Sequence, residues 1–114
     1  MFNLFHLSLK LSGFPIAKAQ ADFEKILQIS EADYPDYLET KKREIVEFHL
    51  KNNAFYQNLV GKETFENWTD LPVLTKKDLQ KPLKNRLSKG YSKKTVFVNK
   101  TSGSSGDPFV FAKD

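Results

Sequence analysis

The 114-residue chain contains no cysteine. That excludes disulfides and thiolate metal sites, and it agrees with a reducing cytoplasm. Histidine is almost as scarce: His6 and His49 are the two present, far apart in sequence. A histidine-based metal site or a Ser/His/Asp triad is therefore poorly supplied. No apolar run approaches the length of a membrane span. The opening stretch from Met1 to Ala19 has no positive charge ahead of its apolar part, and His6 and Lys10 interrupt it. It reads as an apolar segment that packs on the rest of the protein rather than as a secretory leader, although Ala17-Lys18-Ala19 imitates a cleavage pattern. There is no internal repeat and no low-complexity linker.

What is present is ordinary globular material. Hydrophobic residues make up 39% and charged residues 28%, so the chain is not of the disordered class. Its length suits one small domain with a modest core. Ten Phe, four Tyr and one Trp supply large apolar area. The net charge of +4 is unevenly placed. Residues 76–100 hold 9 basic residues against Asp78 alone, whereas residues 1–75 are net acidic. A positive potential of that kind draws polyanions, although a solvated lysine face has the same composition.

Helical signals dominate the first part. Residues 17–30 are rich in helix formers and place Phe23, Ile26 and Leu27 at i, i+3, i+4, with Pro15 just ahead. A longer helix is expected over 34–60, capped by Asp33 and stopped by Gly61. Leu38, Ile45, Phe48, Phe55 and Leu59 form its broken apolar stripe, and Asn52-Asn53 loosens it. His49 beside that stripe reads as a hydrogen bonder at the edge of the core. Residues 68–74 are expected to be extended because Leu71 precedes Pro72, with Trp68, Leu71, Val73 and Leu74 as anchors to the core. Thr75 with Asp78 three residues on makes a capping box, so a short helix should start there. Residues 94–99 and 109–112 read as strands.

Between those strands lies Asn99-Lys100-Thr101-Ser102-Gly103-Ser104-Ser105-Gly106-Asp107-Pro108. Glycine at 103 and 106 allows positive φ and close approach of the backbone to a ligand. Successive N–H groups in such a turn form a concavity for an anion, and Thr101, Ser102, Ser104 and Ser105 add hydroxyls. The Gly-Lys-Ser/Thr ending of a Walker loop is missing, and a strand rather than a helix follows.

The order Thr-Ser-Gly-Ser-Ser-Gly-Asp-Pro resembles the phosphate-binding signature of the adenylate-forming superfamily, Thr-Ser-Gly-(Ser/Thr)-(Ser/Thr)-Gly-x-Pro. Two more stretches resemble its phenylacetate–coenzyme A ligase-like branch, which includes relatives associated with capsular polysaccharide synthesis. Asn53-Ala54-Phe55-Tyr56 is similar to a segment that ends a long helix there. The stretch from Trp68 to Leu79 is similar to the branch's W-x-x-L-P-hydrophobic-x-(T/S)-K-x-D-L segment. The resemblance implies that Thr101, Ser102, Gly103, Ser104, Ser105 and Gly106 hold the β- and γ-phosphates of ATP and the departing pyrophosphate. It implies carboxylate activation through an acyl-adenylate, with Mg²⁺ and with coenzyme A as acceptor. The chain departs from the pattern at Asp107 and Phe109, where many relatives carry Lys or Glu and Lys. Lys100 or Lys113 are the candidates to restore the missing positive charge.

The expected fold class is therefore α+β. Residues 1–93 would be mostly helical. Residues 94–114 would form a C-terminal β-hairpin, strand–loop–strand, with the phosphate-binding loop at 101–108. Family enzymes are several times longer, and their adenine-binding, Mg²⁺-holding and distal lysine motifs follow the loop. The chain is thus expected to be a fragment of the large N-terminal domain of such an enzyme, inactive alone and open to self-association at its strand edges. Its partners would be a nucleotide and a small-molecule carboxylate, with no nucleic acid and no membrane. Two rivals remain: a small basic helical module that contacts nucleic acid or another polyanion, and a structural piece with an inert loop.

Overall fold

A computed structural model describes residues 3–103 and 106–114. The fold is α+β, mainly helical at first and ending in an antiparallel hairpin. The elements in order are α1 (Leu4–Leu11), α2 (Ile16–Leu27), α3 (Tyr34–Asn52), α4 (Ala54–Val60), α5 (Leu83–Arg86), β1 (Phe97–Lys100) and β2 (Val110–Lys113). Short 3₁₀ turns stand at Trp68–Asp70 and Asp78–Gln80. The chain divides into two compact units, Met1–Thr40 and Lys41–Asp114.

In the first unit, the apolar opening stretch contains a helix. Asn3 caps α1 by accepting from the N–H groups of Phe5 and His6 at 3.0 and 3.2 Å. The helix closes where the Phe14 N–H reaches back to the Leu9 carbonyl and the Gly13 N–H to that of Lys10. α2 starts directly after Pro15, as the sequence predicts. The Asp33 carbonyl accepts the Tyr37 N–H at 3.1 Å at the start of α3, and its side chain is engaged one turn earlier. The Ser30 hydroxyl donates to its carboxylate at 2.6 Å and accepts its N–H at 3.1 Å, closing a turn that feeds the helix. Among the described residues no helix is long and apolar enough to cross a membrane.

The single helix expected over 34–60 is two, and the break between them falls in the second unit. Asn53 leaves helical geometry at φ −125° and ψ 99°, and its side-chain oxygen caps α4 through the Tyr56 N–H. An asparagine pair does more than loosen this helix, because a capping side chain competes with the helical backbone for N–H groups. Gly61 ends α4 in the left-handed conformation, as expected.

The core of this unit is small: Leu50, Phe65 and Leu83 are its buried apolar residues. Ile45 and Phe48 of the expected stripe stay exposed in this unit, as does Leu38 in the first. The anchors expected at 68–74 are also revised. A 3₁₀ turn at Trp68–Asp70 precedes the extended backbone that begins at Leu71. Val73 points to solvent, 89% exposed. Alternate residues of an extended segment face opposite ways, so consecutive Val73 and Leu74 cannot both pack inward. Phe65 is the real anchor, with its ring 5.0 Å from Trp68 and the Arg43 guanidinium 4.8 Å over it.

The Thr75–Asp78 box forms as expected. The Asp78 carboxylate accepts from the Thr75 N–H at 2.9 Å and its hydroxyl at 2.7 Å, but the element it opens is a 3₁₀ turn. β1 starts three residues later than expected, because the Thr95 side chain accepts the Ser92 N–H and holds residues before it in a turn. In the hairpin, Phe97 pairs with Lys113 and Lys100 with Val110.

Candidate functional site

The hairpin loop is built by its own first residue. The Thr101 N–H donates to the Phe109 carbonyl at 2.9 Å, and the Phe109 N–H donates back to the Thr101 hydroxyl at 2.8 Å. A threonine side chain thus adds a rung beyond Lys100↔Val110 and draws the neck of the loop together. Its oxygen keeps one hydrogen to donate. Further out, the Gly106 N–H closes a turn onto the Gly103 carbonyl at 3.0 Å.

Gly103 and Gly106 take φ of +72° and +118°, conformations that only glycine adopts readily. Their surroundings differ. A Cβ on Gly103 would lie 2.9 Å from the Gly106 carbonyl oxygen and 3.3 Å from the Pro108 nitrogen, so this glycine is required by the loop itself. A Cβ on Gly106 would meet nothing within 4 Å. Ser104 and Ser105 lie outside the described residues.

The loop faces a depression of about 430 Å³ that it shares with the Thr75–Asp78 segment. Leu74, Leu79 and Phe109 form the apolar part of its lining. Thr101, Ser102, Gly103 and Thr75 supply the polar part. Four of the six predicted loop residues are thus described. Of these, Thr101, Ser102 and Gly103 line one cavity, while Gly106 closes the turn. Sequence reasoning missed one contributor. Lys76 lines this cavity, whereas Lys113 lines another one and sits 5.8 Å over the Phe111 ring. The signal was present in the charge run beginning at residue 76, but distance along the chain concealed it.

Arg86, also unanticipated, braces the hairpin. It donates to the Val110 carbonyl at 2.7 Å and the Lys81 carbonyl at 2.8 Å, and its guanidinium lies 5.6 Å over the Phe109 ring. Burial lowers its pKa from the usual value. A separate depression of about 460 Å³ gathers Arg86, Lys81 and Lys93 with Asp107 and Pro108.

His49 sits in a third place and has a structural role. Its Nδ1 lies 3.2 Å from the Asn53 amide nitrogen and 3.4 Å from the Ser88 hydroxyl. An amide nitrogen only donates, so Nδ1 accepts and the neutral ring carries its proton on Nε2. Burial lowers the pKa of this imidazole. Asn53 also donates to the Arg86 carbonyl at 2.9 Å, so one buried side chain ties α3, α4 and α5 together. His49 is the core-edge hydrogen bonder that the sequence predicts.

The donor set beside the Gly103 backbone fits phosphate oxygens: the Thr101 and Ser102 hydroxyls and a lysine, while the Gly106 N–H is engaged by the Gly103 carbonyl. It does not fit a metal ion, because the ammonium repels cations and the nearby carboxylate, Asp107, lines the other depression. Among the described residues no cluster of three or more metal-ligating side chains gathers anywhere. Comparisons with protein-family models, curated proteins and solved structures gave no match to this chain.

Proposed function

We propose that this chain supplies the polyphosphate-holding hairpin of an adenylate-forming ligase of the phenylacetate–coenzyme A ligase-like kind. In that reaction a carboxylate attacks the α-phosphorus of ATP, an acyl-adenylate forms and pyrophosphate leaves. A thiol such as coenzyme A then takes the acyl group. The loop's part is electrostatic. Donors held in place keep the leaving polyphosphate in line while charge moves onto it. Mg²⁺ bound with the nucleotide would be held by phosphates and by ligands other than the loop residues. A cytoplasmic location suits these substrates.

The observation that carries this reading is the hairpin geometry. The signature order falls on the tip joining two antiparallel strands, both its glycines have positive φ, and the Gly106 face is open. The same reading treats the outer edge of β1 as a route to self-association, since among the described residues β1 pairs with β2 alone.

The test is binding of inorganic pyrophosphate, followed by ³¹P NMR, with thermal unfolding alongside. Gly106→Val should abolish binding while costing only about 1–2 kcal/mol of stability. Ser102→Ala should weaken binding about tenfold by removing one charge-assisted donor. A folded Gly106→Val variant with unchanged affinity would leave the loop an inert turn.

A further inference from the structure

The loop's own sequence supplies no cation: between Thr101 and Phe109 the charged residue is Asp107, which is negative. A polyphosphate held by neutral donors alone would keep most of its charge uncompensated. The fold brings a cation from elsewhere. Lys76 lies 25 residues before Thr101 in sequence, yet it lines the same depression as Thr101, Ser102 and Gly103. Its backbone is fixed from the next turn. The Thr75 N–H and hydroxyl both donate to the Asp78 carboxylate, and these two bonds lower the Asp78 pKa. The capping box therefore holds the chain just before Lys76 in one conformation. The apolar contacts of Leu74 and Leu79 on either side of it line the same cavity.

We propose that Lys76 is the cationic contact for an anion held beside Thr101, Ser102 and Gly103, and that the Thr75–Asp78 box positions it. The proposal rests on the polyphosphate reading of the loop and extends it to a residue outside the signature. The ligand chemistry is a di- or triphosphate group, from free pyrophosphate or from a nucleotide. Lysine suits this role because an ammonium on a flexible stem binds phosphate as a point charge, without the planar fork that a bidentate site needs.

The experiment titrates the full chain with inorganic pyrophosphate and, separately, with ATP, at low and high salt. Lys76→Ala should lose about tenfold in affinity for both. Lys76→Arg should restore most of it, and Lys77→Ala should bind as the unaltered chain does. The Lys76→Ala deficit should shrink in 1 M salt, where the Debye length falls to about 3 Å. A purely structural lysine would give a deficit independent of salt and would not be rescued by arginine. If Lys76→Ala and the unaltered chain bind equally while Gly106→Val does not bind, the Lys76 assignment fails and the loop reading stands. If the unaltered chain binds neither ligand, both fail. A deficit for ATP alone would also overturn the assignment, because it would place Lys76 at the nucleoside rather than at the phosphates.

Discussion

The two compact units obey the same local rules and reach different ends. In Lys41–Asp114 the residues Leu50, Phe65 and Leu83 are buried, together with the polar Asn53 and Ser88. No described residue of Met1–Thr40 is buried. Yet both have well-formed caps: Asn3 for α1 in one, Asn53 for α4 in the other. α2 has a clear apolar face, but Phe23 remains 60% exposed and Leu27 67%. Capping and periodicity decide where helices start, stop and turn their faces. Stability comes mainly from covering those faces, and among the described residues the buried apolar ones all belong to the second unit.

The sharpest way to break this comparison is a pair of truncations. Leu50→Ala, at a residue 1% exposed, should cost about 2–5 kcal/mol through lost burial and a residual cavity. Leu27→Ala should change stability by no more than about 0.5 kcal/mol. Denaturant unfolding followed by Trp68 fluorescence reads both. Equal losses would mean that the first unit has a covered core of its own.

A smaller effect separates capping from tying. Asn53→Asp keeps the oxygen that caps α4 but loses the amide donors to the Arg86 carbonyl and His49. It should still destabilise the chain by about 1–3 kcal/mol, because buried acceptors lose their partner and a carboxylate faces a carbonyl. Asn3→Asp in α1 has only the capping task. There the carboxylate at a helix N-terminus should be neutral or mildly stabilising. If both variants behave alike in chemical denaturation, Asn53 is no more than a cap.

Much of this was legible in the sequence, and the reasons differ by element. The α2 start, the Gly61 stop, the Thr75–Asp78 box and the hairpin all follow from interactions within a few residues of chain. The break at Asn53 was only half legible. The Asn52-Asn53 pair marks a weak point, but the decision to cap α4 depends on the Arg86 carbonyl 33 residues away. Leu50 as the most buried residue, Val73 as a solvent-facing one, and the arrival of Lys76 beside the loop were not legible. Each is set by which segments meet, and the local pattern holds no record of that.

Acid should also separate the units. The folded pKa of His49 lies below 6.5 because the ring is partly buried. Between that folded value and 6.5 the unfolded chain binds more protons, so stability is fully present above 6.5 and falls as pH descends through this window. Arg86, Lys113 and Asp114 are the charged groups that line the same depression. Asp70 is held below 3.8 by the Asn67 and Glu66 N–H groups, and Asp78 by Thr75. Their contributions are present above 3.8 and disappear as pH falls through their lower folded values. Unfolding midpoints from pH 8 to 5 should therefore decline, and His49→Gln, which keeps an acceptor for Asn53, should flatten that decline. A slope unchanged in His49→Gln would assign the acid sensitivity elsewhere.

The smallest effect lies in the first unit, where the comparison predicts that local pairs are nearly all there is to remove. Lys18 and Asp22 form an i,i+4 ion pair at 2.7 Å on α2, with side chains 76% and 49% exposed. Such a pair stabilises a helix by about 0.2–0.5 kcal/mol, and the order here, cation before anion, is the weaker one. Lys18→Ala removes the pair but introduces the best helix former, which offsets part of the loss. The net change should lie within about 0.5 kcal/mol and should vanish in 1 M salt, where exposed pairs are screened. Amide hydrogen exchange across Ile16–Leu27 is the suitable readout, because local fraying shows there without global unfolding. A loss above about 1 kcal/mol, spread beyond α2 and persisting at high salt, would show that α2 is tied into a larger cooperative structure, and the contrast between the units would no longer hold.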